Sequence, residues 1–462
     1  MNNGLKEKIV LVLGLAGSGR AAIHLLLKAG ATRVIANDRR DEEELREVIS
    51  EFRPFPQVSF AAGGHGEALL ENVDLIIKSP GIHPQMELLQ KATGKGIKIY
   101  SEIELAHLFF GGKLVGITGT NGKTTTTSLV GEIYKGHYGE RIHVAGNIGR
   151  PLSEAVLHAR KGDIIIAELS SFQLENVDRF SPDIAAILNL APDHLDYHGT
   201  MEGYISAKKR ILMNQRPDDW AILNWDDPMV REFASFSKGK VLYFSRREKL
   251  PSGVCLHGEQ IVISDGGSSS VVCRADEVRI RGLHNLENAL AATAMAWAGG
   301  IGLSQIAAVL RVFPGVAHRL ESVCDFGGIR FVNDSKGTNP QAALSALRSI
   351  PGPKILIAGG SDKGSDFNDF VRALRDEGVV KMILIGETAG SISRAASAVG
   401  FDNTVIVEGM SAAVEEATAS AKSGDTVLLS PACASWDMFK NFEERGNVFK
   451  EAVLALKERY IR

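Results

Sequence analysis

The sequence predicts an α/β protein of three domains, each built on a largely parallel sheet. Two observations lead there. Short β-branched runs alternate with helical patterns almost throughout, as expected for parallel strands whose crossover helices cover both faces of a sheet. These runs fall into three groups, and a chain of 462 residues has room for about two to four domains.

The elements can be taken in order. "IVLVLG", "RVIAND", "VDLIIKS" and "IKIYS" are the strands of the first group. "KLVGIT", "DIIIAELS", "IAAILNL" and "WAILNW" form the second. Between Lys240 and Arg281 the pattern changes. "KVLYFSR", "GEQIVIS" and "SSVVCRA" are short strands split by Gly/Ser turns, so a small antiparallel insert is expected. "IRFVND", "KILIAGG", "KMILIGE", "NTVIVEG" and "DTVLLSPA" form the third group. A first linker is expected near Ser101 and a second near Pro314, where "VFPGVAHR" carries Pro-Gly punctuation. The expected domains are 1–101, 102–314 and 315–462.

Composition narrows the class. Hydrophobic residues make up 44 % and charged residues 23 %, consistent with sizeable cores. A net charge of −3 gives no reason to expect nucleic acid or an anionic membrane as partner. "MNNGLKEK" does not read as a signal peptide, and runs such as "IVLVLGLAG" are too short to span a bilayer. Cys255, Cys273, Cys324 and Cys433 show no metal-type spacing. Buried free thiols in a reducing cytoplasm are expected.

Two glycine loops carry the first chemical signal. "GITGTNGKTTTT" from Gly116 follows a strand and opens a helix. That is the setting of a phosphate cradle. Backbone N–H groups and the helix N-terminus hold phosphate oxygens, Lys123 neutralises them, and the Thr124 hydroxyl can bind Mg²⁺. The strict template wants glycine at 117, where Ile117 stands, so Gly119 and Gly122 make the bend. The chain has no Asn-Lys pair for a guanine-reading motif, so ATP is expected. The second loop, "GLAGSGR" from Gly14, has Ala16 where a dinucleotide fingerprint needs glycine, and Asp38 ends the next strand. It reads as a tight turn in an empty Rossmann-like unit, as an NAD site, or as a site for another phosphate-bearing ligand.

Glu168 closes the strand "DIIIAELS", and Asp193 and His194 lie just past another strand end. Strand carboxyl ends line the ligand crevice of a parallel sheet, so the acid and the imidazole are candidates for a Mg²⁺ shell. In the helix that follows, Thr200 is the expected N-cap. Met201, Tyr204, Ile205, Ile211 and Leu212 form an apolar stripe with Lys208 at its centre, Lys209 at the edge and Arg210 opposite. The wheel alone favours a lysine that snorkels to the rim. The alternative is a desolvated amine that reacts with CO₂ to give a carbamate, a carboxylate on a long arm suited to Mg²⁺.

Taken together, "GITGTNGKTT", "AGNIG", "NLAPDHLDYHGTMEGYISAKKRIL", "GLHNLENALAA", "GVAHRLE", "NDSKGTNP" and "GGSDKGSDF" resemble, in order, the blocks of the Mur ligase family, ATP-dependent amide ligases of peptidoglycan synthesis. The resemblance covers essentially the whole chain. "ELSSFQLE" and "SPACASWDMFKNFEERG" are similar to the D-glutamate-adding branch. It implies a Rossmann-like first domain for a UDP-sugar, a central P-loop ATPase domain, and a Rossmann-like third domain for the incoming amino acid. The substrates would be UDP-N-acetylmuramoyl-L-alanine, D-glutamate and ATP, with two Mg²⁺ ions and a carbamylated Lys208.

The resemblance also implies roles. Gly119, Thr120, Asn121, Gly122, Lys123, Thr124, Thr125, Asn285, Asn288, Arg319 and Asp334 would hold ATP. Thr124, Glu168, His194 and the Lys208 carbamate would hold metal. Lys123, Glu168, His194, Lys208 and Lys336 would carry the catalysis. Ser18, Asp38, Ser79, Asn147 and His194 would contact the nucleotide sugar, with Ala16 and Asn37 as further candidates. Thr338, Lys363, Ser435 and Phe442 would form the D-glutamate pocket. A cytoplasmic monomer with no nucleic-acid partner and no membrane insertion is implied. The rivals are a sister ligase adding another amino acid, a folylpolyglutamate synthase, an NAD-dependent dehydrogenase, and a non-catalytic nucleotide-binding regulator.

Overall fold

The computed structural model of the chain describes residues 5–361 and 365–461. The fold is the expected α/β arrangement of three mostly parallel sheets. The chain divides into two compact units, Met1–Phe313 and Pro314–Arg462, with the first two sheets together in one of them.

The first sheet contains β1 (Ile9–Leu13), β2 (Arg33–Asn37), β3 (Val58–Ala61), β4 (Leu75–Lys78) and β5 (Lys98–Ser101), ordered β3-β2-β1-β4-β5 and wholly parallel. The second contains β6 (Lys113–Thr118), β7 (Ile142–Gly146), β8 (Ile164–Glu168), β9 (Ile184–Ile187), β10 (Trp220–Asn224), β11 (Lys240–Ser245), β12 (Ser252–His257), β13 (Gln260–Asp265) and β14 (Ser269–Arg274), ordered β14-β13-β12-β11-β10-β9-β6-β8-β7. The expected antiparallel insert begins later than its sequence pattern suggested. β11 pairs in parallel with both β10 and β12, and only β12, β13 and β14 run antiparallel. The insert therefore extends the same sheet.

A continuous apolar core runs from Val10 and Leu25 through Ile103 and Leu105 to Leu114, Ile165 and Phe180, so the first two sheets share buried surface. The Ser101 junction, expected as a linker, is a packed connection. The Ser101 N–H donates to the Asn176 carbonyl at 2.9 Å. The Glu104 carboxylate accepts the N–H groups of Asp178, Arg179 and Phe180, each at 2.9 Å.

In the second unit β15 (Glu321–Phe326), β16 (Ile329–Asn333), β17 (Lys354–Ala358), β18 (Val379–Leu384), β19 (Thr404–Ile406) and β20 (Thr426–Leu429) are ordered β15-β16-β20-β17-β18-β19, parallel except for β15 against β16. Separate apolar cores cover its two faces, one around Leu347 and Phe370 and one around Phe331 and Phe449. All four cysteines are free, three of them buried and Cys324 half-buried. Among the described residues no helix is long and apolar enough to cross a membrane.

Candidate active site

β6 delivers the chain into the Gly119 turn, and the helix Lys123–Tyr138 starts immediately after it. Gly122 is the N-cap, at φ 82°. Two constraints demand glycine there: that left-handed backbone, and a Cβ that would lie 2.2 Å from Asn288 Oδ1. The loop is braced from β9's exit. Thr120 N–H donates to the Asn189 carbonyl at 2.9 Å and Asn121 N–H to Asn189 Oδ1 at 2.7 Å. Lys123 folds back so that its ammonium donates to the carbonyls of Gly119 at 2.9 Å and Thr120 at 2.8 Å. Thr124 and Thr125 are buried in the first turn. Asn288 comes against that turn from the helix Leu283–Ala298, accepting from Thr126 Oγ1 at 3.2 Å and donating to Asn285 Oδ1 at 3.2 Å. This cradle fits phosphate: a glycine bend, a helix N-terminus and a lysine at its mouth.

β8 lies beside β6 with Glu168 opposite Ile117, which brings this carboxylate next to the loop. Glu168 is buried; one oxygen accepts Asn147 Nδ2 at 2.8 Å and the other has no hydrogen-bond partner among the described residues. A buried carboxylate oxygen left open is costly unless a cation meets it, so the donor fits Mg²⁺. Asn147, expected at the nucleotide sugar, is held against Glu168, its own N–H donating to the Glu168 carbonyl at 2.9 Å.

Lys208 sits in the helix Met201–Lys209, capped as expected by Thr200, whose hydroxyl accepts from Gly203 N–H at 3.1 Å. Lys208 is 1 % exposed, so it does not snorkel. Its ammonium donates to the Gly119 carbonyl at 2.8 Å, lies 3.4 Å from Thr118 Oγ1 and stands 4.7 Å from the Tyr204 ring centre. Among the described residues no carboxylate pairs with it. Burial, reinforced by the Lys123 charge, lowers its pKa to about 6 against the opposing pull of Asp193 and Glu168. Lys209 lies over the Phe236 ring at 4.2 Å. Arg210, opposite the stripe on the wheel, is half-buried and donates to the Val177 carbonyl. The helix tightens to a 3-10 turn at Arg210–Leu212, which rotates this side chain off the α-helical wheel.

His194 takes a left-handed backbone (φ 52°) at the start of the turn Leu195–His198. Its imidazole is half exposed, 3.5 Å from Asp193 Oδ2 and packed on Phe172 with ring centres 4.7 Å apart. Among the described residues no three His, Cys, Asp or Glu side chains form a preformed metal cage. Glu168 and Lys208 thus stand against the loop, Thr124 lies in the first turn after it, and His194 lies in the segment beyond β9, without the four forming a preformed cage.

The Gly14 loop is a close strand–helix turn. A Cβ at Gly19 would lie 1.9 Å from the Gly14 carbonyl oxygen, so the helix Gly17–Lys28 needs glycine there. Ser79 Oγ donates to the same carbonyl at 2.9 Å. Asp38 closes the loop by accepting Leu15 N–H at 2.7 Å and Arg40 Nε at 3.0 Å. Burial pushes its carboxyl up, but the Arg40 and Leu15 bonds overcome this and hold it at about 2. Asn37 donates to the carbonyls of Ala61 and Gly64, each at 2.7 Å. Ser18 is half-buried in the first turn of the helix, and Ala16 is exposed just before it.

In the second unit, Asp334 follows β16 and is buried. Its carboxylate accepts Ser430 Oγ at 2.7 Å and Leu320 N–H at 3.2 Å. Burial raises it to about 6, against Ser430 and the charge of half-buried Arg319. Thr338 N–H donates to the Lys336 carbonyl at 2.9 Å, and the Lys336 ammonium lies 5.7 Å from the Phe442 ring centre. Ser435 is buried, its carbonyl accepting Phe439 N–H at 2.8 Å. Lys363 lies outside the described residues. The sequence reading missed Arg445, which is fully buried and binds the Ser335 carbonyl at 2.8 Å, Cys433 at 3.0 Å and Ala434 at 2.9 Å. It ties the Asp334–Thr338 loop to the Ser430–Ser435 loop. Helical spacing with Phe449 and Val453 was the available signal.

Comparison with known proteins agrees with this geometry. Three family models match in sequence: the Mur ligase MurD-like N-terminal domain over 8–101, the Mur ligase middle domain over 117–296, and the Mur ligase glutamate ligase domain over 318–433. A protein of Pelotomaculum thermopropionicum named UDP-N-acetylmuramoylalanine–D-glutamate ligase is 48 % identical over 98 % of both chains. A protein of the same name from Clostridioides difficile is 43 % identical over 98 % of this chain and 100 % of its own. Among solved structures, the UDP-N-acetylmuramate–alanine ligase of Thermotoga maritima shares the fold, with a TM-score of 0.57 at 17 % identity over 97 % of this chain and 100 % of its own.

Proposed function

We propose that this chain, which belongs to the Mur ligase family, joins D-glutamate to UDP-N-acetylmuramoyl-L-alanine at the expense of ATP, in cytoplasmic peptidoglycan precursor synthesis. The observation that carries the reading is the laying of a desolvated Lys208 against the Gly119 carbonyl of a phosphate loop, beside a buried carboxylate with one oxygen left without a hydrogen bond among the described residues. A dehydrogenase needs no such group. Asp38, which would have to bind a nicotinamide ribose, is already engaged with Leu15 and Arg40. The printed name of the relatives supports D-glutamate as the amino acid.

A carboxylate is a poor acyl donor, so it is activated as an acyl phosphate and then attacked by the amine of D-glutamate, releasing phosphate. Charge collects on phosphoryl oxygens, and positioning with fixed cations supplies most of the catalysis. Lys123 and the N–H groups from Gly119 to Thr125 receive the phosphates, with Asn285 and Asn288 bracing the cradle. Thr124, Glu168, His194 and Lys208 as its carbamate are the residues that would hold two Mg²⁺, whose charge offsets that of the phosphates. Glu168, kept in place by Asn147, offers its open oxygen. Ser18, Asp38 and Ser79 frame the nucleotide-sugar loop. Arg319, Asp334 and Lys336 contribute to ATP and the transferring phosphate, and Thr338, Lys363, Ser435 and Phe442 to D-glutamate. The working division is 1–101, 102–314 and 315–462, in a monomer.

The test is phosphate release with UDP-N-acetylmuramoyl-L-alanine, ATP and Mg²⁺ against a panel of amino acids. D-glutamate should be required. Preference for L-lysine or meso-diaminopimelate would make the protein a sister ligase, and NAD-dependent turnover would overturn the reading.

A further inference from the structure

A second buried lysine lies outside every role assigned so far. Lys78 is the last residue of β4, 1 % exposed, at the end of an otherwise apolar strand. Its three ammonium protons meet three acceptors from three segments. They are the Ile82 carbonyl at 3.1 Å, Glu175 Oε2 at 3.1 Å and the Tyr197 hydroxyl at 2.8 Å. Tyr197 in turn donates its one proton to Glu175 Oε2 at 3.0 Å. The set is closed: each donor has an acceptor, and a positive charge removed from water is met by a carboxylate.

The three segments belong to different parts of the proposed chemistry. Ser79 and Ile82 lie in the loop after β4, where Ser79 holds the Gly14 turn by its 2.9 Å bond. Glu175 follows the short helix Ser171–Leu174, which starts three residues after the metal-candidate Glu168 through a capping box of Ser170 and Gln173. Tyr197 lies in the turn Leu195–His198, whose amides at Tyr197 and His198 bond the His194 carbonyl at 3.1 and 3.0 Å. Phe172 is wedged against this turn, its ring centre 4.7 Å from His194 and 4.4 Å from Tyr197. His83 packs on the other side of Tyr197 at 5.0 Å. One ammonium therefore holds the nucleotide-sugar loop, the continuation of the Glu168 strand and the His194 turn in fixed relation.

We propose that Lys78 is a positioning residue that couples occupancy of the nucleotide-sugar loop to the placement of His194. It touches no reacting atom. It acts by locking Tyr197 and Ile82 to a common centre, so that a shift of the loop around Ser79 is felt at the imidazole. A domain staple with no functional role would use the same bonds, and the two are told apart by which kinetic constant moves. The proposal rests on the assignment of the Gly14–Ser79 region to a nucleotide sugar.

The experiment is steady-state kinetics of Lys78→Met, Lys78→Arg, Glu175→Gln and Tyr197→Phe in the full chain, varying each substrate in turn. Lys78→Met should raise KM for UDP-N-acetylmuramoyl-L-alanine and lower kcat, each by about tenfold, with KM for ATP and D-glutamate within about twofold of wild type. Lys78→Arg, able to meet two of the three acceptors, should recover part of both. Tyr197→Phe keeps the ring against Phe172 and loses only the hydroxyl, and should move the same two constants by about threefold. It serves if Lys78→Met does not fold. Variants with all constants near wild type, or with all three KM values raised alike, would overturn the proposal. Wild-type use of another amino acid would instead sink the D-glutamate assignment and leave the nucleotide-sugar KM as the deciding quantity here.

Discussion

Lys78 and Lys208 are both 1 % exposed and both belong to the first unit, yet they stand in opposite chemical situations. Lys78 is met by a carboxylate, a phenol and a carbonyl, and Glu175 opposes the lowering of its pKa by burial. Lys208 has a carbonyl, a distant hydroxyl and an aromatic face, and burial together with Lys123 takes it to about 6. Burial alone does not make a lysine reactive; burial without a counter-charge does. The first is a fastener, and the second is the amine for which reaction with CO₂ is proposed.

Four substitutions sharpen or break that contrast. Lys208→Ala should lower turnover most, by about 10³-fold or more, because it removes the proposed carbamate ligand beside the phosphates. Short carboxylic acids at high concentration should restore part of the activity by occupying the vacated position. Loss without such rescue would leave Lys208 as an ordinary cation. Lys123→Ala should cost about 10²-fold or more, having lost one cation facing the developing phosphoryl charge. Near-normal turnover there would mean that the Gly119–Gly122 loop is not the phosphate site. Lys78→Met should lower kcat by about tenfold, an order of magnitude less than these, and among the three substrates should raise KM for the nucleotide sugar alone. Lys209→Ala should change turnover by less than about threefold, since that side chain lies on Phe233 and Phe236 rather than on the loop. Equal damage at 208 and 209 would break the contrast between adjacent faces of one helix.

A fifth expectation concerns stability. The folded pKa of Lys208 lies below its unfolded value, so between about 6 and 10.5 the unfolded chain binds the extra proton and stability rises with pH. Lys208→Met removes that slope. In CO₂-free buffer the Tm advantage of the variant over wild type should be largest near pH 6 and shrink toward pH 9. A constant gap would show that Lys208 keeps its proton across that range.

Much of this could be read before any coordinates. Continuous apolar runs marked the central strands because both faces of a parallel sheet are buried. Of the strands that went unread, β3, β7 and β15 lie at sheet edges and are mostly half-buried, so they lack such runs, whereas β12 went unread inside its sheet, its apolar run cut short by Gly253. Lys208 was legible from helical periodicity, whereas the bond of Arg210 to the Val177 carbonyl lies 33 residues away in sequence and leaves no local signal. The link of Asn147 to Glu168 depends on β7 lying beside β8, a pairing that no local pattern encodes. Lys78 read as a polar strand end. Its partners lie 97 and 119 residues away in sequence, beyond the reach of periodicity.

The contrast is tested most directly by ¹³C NMR of the Mg²⁺-bound protein equilibrated with ¹³C-bicarbonate. A carbamate carbon resonance is expected in wild type and in Lys78→Met, and it should be absent from Lys208→Met. No carbamate signal in wild type, or a signal that survives in Lys208→Met and vanishes in Lys78→Met, would contradict the assignment of the two buried lysines.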